Sequence, residues 1–323
     1  MGETRRRERS SPRVFYYTPD HNEPSWGIGM LYTHVRLLRA NGIDAAVLHD
    51  RYPFRPKWLK PDAPAAYLNR SSFRPRPDDI LVVPEIVVAR PQVREIRCRR
   101  IVFVQASSLI VAGLRGIATY QELGYEGAIA VMPHIQEILE RHFQTKAALV
   151  PPCVAPYFFS DRKAVRKRQI VLYPKRNCED CNIVAELLRR RLNAFGWRLV
   201  ELEGKTHVQV ARVMRESAFH VNVNCQESFN ATVPEAMAAG CIPICYEAFG
   251  GRDFLRDGVN AYVFPNHHIF PLLERALDLV GRYDCIQPRL NRMRRSALAT
   301  AKRYTERRTE RALLTCFGRL LKT

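Results

Sequence analysis

The sequence predicts an α/β protein of two domains, each built on a parallel β-sheet. Apolar runs such as Ile80-Leu81-Val82-Val83 and Ile170-Val171-Leu172-Tyr173 are continuous rather than alternating, which marks strands covered on both faces. Amphipathic helical patterns separate the runs, as crossover connections between parallel strands require. The 323 residues are enough for two cores, and Pro151-Pro152 marks a junction near mid-chain.

After a basic tail over 1–13, Arg13-Val14-Phe15-Tyr16-Tyr17 reads as the first strand, rich in aromatic and β-branched residues. A loop from Pro19 to Gly29 follows, then a helix from Met30 to Ala40 with Leu31, Val35 and Leu38 on one face. Asn41-Gly42 stops it, and Ile43 to Leu48 returns as a strand. Gly27 and Gly29 sit where backbone can approach a phosphate, although the three-glycine dinucleotide fingerprint is incomplete and a tight turn explains them equally well. Residues 51–79 read as irregular surface. Strands recur at Ile80–Val83, Ile101–Val104, Ala128–Val131 and Ala148–Val150, with a helix from His134 to Phe143. The boundary falls near Pro156, giving a first domain of 14–155 and a second of 156–300.

The second domain repeats the pattern: strand Ile170–Tyr173, helix Ile183–Phe195, strand Trp197–Glu201, helix Val208–Ser217 and strand Ala218–Val223. Ligands of open α/β sheets bind at the carboxyl ends of strands. Lys175 and Arg176, just beyond the first of these strands, are therefore placed to meet a diphosphate, with a solvated surface pair as the plain alternative. The stretch Glu227 to Gly240, ESFNATVPEAMAAG, sets two carboxylates eight residues apart around a polar turn and a short helix. Pro234 is expected at the first helical position and Gly240 at the left-handed stop. A strand, a polar loop and a helix N-terminus together gather N–H groups around an anion.

Net charge is +19 and the isoelectric point near 9.9, which favours an acidic partner: nucleic acid, an anionic membrane surface or a phosphate-rich substrate. Nine cysteines, several in apolar strands, do not form a secreted disulfide scaffold, so a reducing cytoplasm is expected. The basic N-terminus lacks an apolar core for a secretory signal, and the best apolar run, Ile80 to Ala89, is broken by Pro84-Glu85. Cys178 and Cys181 have the spacing of a zinc or redox pair, but no second pair accompanies them, and His267-His268 reads as a solvated loop pair. Residues 282–323 hold twelve Lys/Arg against three Asp/Glu, with Leu313, Leu314, Phe317, Leu320 and Leu321 at helical spacing. Three readings of that segment stay open: a solvated helix packing back on the first domain, a peripheral membrane patch, or a footing for nucleic acid.

From Glu227 onward the chain resembles the retaining glycosyltransferases of the GT-B fold, specifically glycosyltransferase family 4 and its relatives. Glu227, seven residues, Glu235, the small-residue run Ala236-Met237-Ala238-Ala239-Gly240 and the strand Ile242-Pro243-Ile244 carry the likeness. Gly250-Gly251, Asp257-Gly258-Val259-Asn260-Ala261, Phe264-Pro265 and the Gly27/Gly29 loop extend it over most of the chain. The resemblance implies two Rossmann-like domains facing across a cleft, with the last helix (301–323) crossing back to the first. It implies transfer of a sugar from a nucleoside diphosphate to a glycan or lipid-linked acceptor, with retention and with no metal or other cofactor. Glu235 would bind the ribose, and Glu227 the donor sugar. Lys175 and Arg176 would neutralise the diphosphate, beside Ser228, Phe229, Asn230, Ala231 and Thr232 of the cradle. Ser228 and Asn230 depart from the glycines common there, and Gln105 and His134 are only loose matches to a histidine of the first domain. Two other functions fit the charge: glycosylation of modified bases in DNA, or non-catalytic binding on the same fold.

Overall fold

The computed structural model describes residues 11–59, 62–159, 166–174 and 178–322. The chain forms two compact units. The first comprises Met1–Val131, Ile135–Val150 and Glu310–Thr323; the second comprises Met132–His134 and Pro151–Thr309.

In the first unit the order is β1 (Val14–Tyr17), α1 (Trp26–Ala40), β2 (Ala45–His49), β3 (Ala65–Tyr67), β4 (Ile80–Pro84), α2 (Pro91–Arg94), β5 (Arg99–Val104), α3 (Ile110–Leu114), β6 (Gly127–Ala130), α4 (Pro133–His142) and β7 (Ala147–Leu149). The seven strands pair in the order β3-β2-β1-β4-β5-β6-β7, all parallel. Every residue of β1 and β4 is buried, as their unbroken apolar runs require of strands covered on both faces.

Two readings change here. α1 begins at Trp26 rather than Met30, because Ser25 caps it by accepting the Ile28 N–H at 3.4 Å. Gly27 and Gly29 are therefore residues of the helix start rather than of a preceding loop. The 51–79 segment is not wholly irregular, since Ala65–Tyr67 adds the edge strand β3 beside β2.

The second unit holds β8 (Lys167–Leu172), α5 (Cys178–Leu192), β9 (Arg198–Glu201), α6 (His207–Glu216), β10 (Ser217–Asn222), α7 (Thr232–Ala238), β11 (Ile242–Tyr246), β12 (Tyr262–Phe264), α8 (Ile269–Gly281) and α9 (Gln287–Ala301). Its parallel sheet runs β12-β11-β10-β8-β9. Trp197 stacks on Phe219 of β10, with ring centroids 5.7 Å apart, and both meet the edge or face of Tyr283. This aromatic group belongs to a core that continues through Val184, Leu188, Ile244 and Leu272.

The last helix, α10 (Glu306–Leu320), starts in the second unit and ends among the residues of the first. There Phe317 is fully buried, 6.3 Å from the Tyr16 ring of β1, and the carbonyl of Leu320 accepts a hydrogen bond from Arg99 of β5. Among the described residues, no helix is long and apolar enough to cross a membrane.

Candidate active site

The loop 223–231 leaves the carboxyl end of β10, the sheet's central strand, and is fixed by buried polar groups. Asn222, the last residue of β10, and Asn230 form a reciprocal amide pair: each Nδ2 donates to the other's Oδ1, at 3.1 and 3.0 Å. Asn222 Oδ1 also accepts the Asn224 N–H, and its Nδ2 donates to Thr232 Oγ1 at 2.8 Å. Asn230 adopts left-handed backbone, φ +51°. Asparagine tolerates that region better than most residues, and here the pair offsets its cost.

Below the loop, His220 Nδ1 lies 3.3 Å from the Val171 carbonyl of β8. A carbonyl only accepts, so Nδ1 carries the proton. Nε2 then accepts from the Thr232 hydroxyl, 3.4 Å away. Burial pushes the His220 pKa down to about 4, which keeps the ring neutral and this direction of bonding fixed. One polar chain thus runs from β8 through β10 to the start of α7.

The outer side of the loop rests on Gly250. A Cβ placed there would stand 1.4 Å from the Ser228 carbonyl oxygen, and the Gly250 N–H donates to the Glu227 carbonyl at 3.2 Å. The requirement is for space, because two backbones touch at this point. Phe229 packs its ring 5.0 Å from Tyr304, and Ser228, Phe229 and Asn230 are all buried. Glu227, at the start of this fixed segment, is half-buried.

α7 opens at Thr232, so Pro234 is its third residue rather than its first, still within the turn whose N–H groups lack helical acceptors. Gly240 takes the left-handed stop, φ +72°. With seven residues α7 has little dipole to offer an anion, so what this segment presents is its side chains and individual N–H groups.

Glu235, in the first turn of α7, is 3% exposed, and its Oε1 is 2.8 Å from His207 Nε2 at the start of α6. His207 Nδ1 in turn meets the Tyr157 hydroxyl at 2.6 Å. Desolvation opposes charge on His207, but its hydrogen bond to Glu235 and the carboxylate's charge outweigh it and raise the pKa above the ordinary histidine value. A carboxylate has about four acceptor positions, so holding one imidazole leaves Glu235 able to accept from vicinal hydroxyls as well.

The structure thus brings Glu227, Ser228, Phe229, Asn230, Ala231, Thr232 and Glu235 onto one loop and one helix start. Lys175 and Arg176 lie outside the described residues. Gly27 and Gly29 belong to the first unit, where Gly27 faces Gln105: a Cβ on it would be 3.2 Å from Gln105 Oε1, a buried atom with no hydrogen-bond partner. Beside Gln105 is Glu85, 2% exposed, whose Oε1 accepts the N–H groups of Gln105 and Ala106 at 3.1 and 2.7 Å. His134 is bonded to Asp253 at 2.9 Å. Cys181 is buried, its thiol donating to the Tyr173 carbonyl, while the Cys178 side chain lies outside the described residues. His267 is exposed, as the sequence implied, yet its Nδ1 lies 3.0 Å from Asp180.

Sequence reasoning missed His207, Tyr157, His220 and Asn222. The last two carried a signal, since a histidine and an asparagine inside an otherwise apolar strand need buried partners. Tyr157 and His207 are 50 residues apart and carried none.

No family model matches the sequence, and no curated protein matches it. Solved structures do. A glycosyltransferase from Rickettsia africae superposes with a TM-score of 0.68 at 11% identity, covering 98% of this chain and 100% of that one. HepE of Anabaena, solved in complex with UDP, gives 0.66 at 10% identity over 95% and 99%. The pneumococcal O-GlcNAc transferase GtfA, in complex with UDP and GlcNAc, gives 0.59 at 14% identity; 77% of this chain spans 58% of it. These likenesses are of fold: the chain has the GT-B fold, with two parallel-sheet Rossmann-like units.

Proposed function

We propose that this chain is a glycosyltransferase that takes its sugar from a nucleoside diphosphate, with the second unit holding the nucleotide. The observation that carries the proposal is the loop 227–235 itself. It is a segment held by buried hydrogen bonds at the carboxyl end of the central strand, with a half-buried carboxylate at one end and a buried one, bonded to His207, at the other. UDP in the structures of HepE and GtfA supports uridine as the base.

In this reading Glu235 accepts the two ribose hydroxyls and Glu227 accepts hydroxyls of the donor sugar. Lys175 and Arg176 neutralise the diphosphate, doing electrostatically what a divalent metal does elsewhere, so the transfer needs none. The anomeric C–O bond breaks, and its electron pair leaves with the nucleoside diphosphate. The acceptor hydroxyl oxygen bonds the anomeric carbon on the same face and passes its proton to a phosphate oxygen of the leaving group. No protein nucleophile enters, and configuration is retained. The acceptor is a glycan or a lipid-linked saccharide, and the basic surface of α9 and α10 meets an anionic membrane from the cytoplasmic side.

Calorimetric titration with UDP, UDP-glucose and UDP-N-acetylglucosamine tests the donor. Glu235→Ala is expected to weaken nucleotide binding by about 1–3 kcal/mol through lost ribose hydrogen bonds. Equal affinity of wild type and variant would remove Glu235 from the site.

A further inference from the structure

One helix start and two loops at the carboxyl edge of the second sheet bring together groups that the sugar-transfer reading leaves unused. Asp180 stands in the first turn of α5, Cys225 follows β10, and His267 follows β12. One ligand atom from each, a carboxylate oxygen, the thiol sulfur and a ring nitrogen, all lie within 4.8 Å of one another. The three residues are far apart in sequence, so the convergence belongs to the fold.

The surroundings hold these donors in place. Asp180 is buried, and its Oδ2 accepts the Tyr246 hydroxyl at 3.0 Å, from the end of β11. A carboxylate that ligates a metal is usually itself held by a hydrogen bond of this kind. Asn266, next to His267, accepts the Ala248 N–H at 3.2 Å and ties the β12–α8 loop to the one after β11. His267 takes left-handed backbone, φ +66°, and its ring is bonded to Asp180. The His267 side chain is 68% exposed, so an ion can reach the cluster from solvent.

We propose that Asp180, Cys225 and His267 form a zinc site. Thiolate, imidazole and carboxylate together are the donor set of zinc, whereas calcium and magnesium take oxygen ligands. Thiolate and carboxylate supply two negative charges to balance the dication. On binding, the Cys225 thiol loses its proton to solvent as the Zn–S bond forms, and the imidazole binds through a nitrogen lone pair. The metal's oxidation state does not change. Three protein ligands leave one tetrahedral position for water. The ion's role is to tie the start of the 223–231 loop to α5 and to the β12–α8 loop, outside the transfer step.

The test uses the full chain, freed of metal with a chelator and titrated with Zn²⁺ against a chromophoric indicator. Co²⁺ serves as a second probe, reporting thiolate ligation by its charge-transfer absorption. One ion per chain is expected, with at least tenfold weaker binding in Cys225→Ser and in His267→Ala. Cys285→Ser, at an exposed cysteine elsewhere, should bind as wild type. Because His267 is exposed, His267→Ala should melt like the metal-free wild type, while Zn²⁺ should raise the melting temperature of the wild type only. Absence of stoichiometric binding in the wild type, or unchanged affinity in either ligand variant, would overturn the site.

Discussion

At the residue scale, the two glutamates differ in what surrounds them, and their expected behaviour differs accordingly. Glu235 is buried and held by His207; Glu227 is half-buried on a loop whose backbone is anchored by Gly250. Glu227→Gln should leave nucleotide affinity within about threefold while lowering turnover at least tenfold, a loss of about 1.4 kcal/mol of transition-state stabilisation. Wild-type turnover in that variant would show that the charge of Glu227 takes no part. Glu85 offers a test by pH. Burial raises its pKa to about 7 from an ordinary 4.5. The raised value favours the folded state at low pH, and the advantage is lost as pH rises from 4.5 through 7. Glu85→Gln keeps an acceptor for the two N–H groups and should abolish that dependence. Urea denaturation at pH 5 and pH 8 should show the wild type losing about 2–3 kcal/mol more than the variant.

At the scale of elements, much of the arrangement was legible in the sequence, and the misreadings have physical causes. Continuous apolar runs located β1, β4, β8 and β10, because buried parallel strands leave little room for polar residues. The start of α1 was placed too late because Gly27 and Gly29 looked like loop residues, while the capping serine at 25 was the stronger signal. β3 was missed because an edge strand of three half-buried residues has no hydrophobic pattern to show. In the loop, Glu227, Asn230 and Glu235 could be read from their order. Their partners at 157, 207 and 222 come from other elements, and local sequence does not encode such pairings. Gly250 marks the tightest of these contacts. Gly250→Ala must move the 227–229 backbone and should cost about 1–3 kcal/mol in denaturant unfolding, with a parallel loss of nucleotide affinity. Gly251→Ala should cost less, since its added Cβ meets Leu255 Cδ1, a flexible side-chain end, at 2.6 Å.

For the molecule as a whole, charge and connectivity act separately. The net +19 sets which surfaces the protein approaches and how salt affects that approach, while the fold rests on two predominantly apolar cores. The last helix joins a far stretch of sequence to the first of those cores. Phe317→Ala removes a fully buried ring beside Tyr16 and should destabilise the first unit by about 3–5 kcal/mol, seen as a lowered midpoint in denaturant. A change smaller than 1 kcal/mol would mean that the helix contributes little to that core.

That connectivity also orders events in time. Domains made early in synthesis commonly fold before later ones emerge. Here the first unit includes residues beyond 309, so it lacks Phe317 and the Leu320 contact until all of the second unit has been translated. A ribosome stalled late in the 151–309 stretch would therefore hold a nascent chain with all seven strands of the first sheet made and an uncovered apolar patch around Tyr16. The second unit, continuous from 151 to 309 apart from three residues made earlier, is free to finish first.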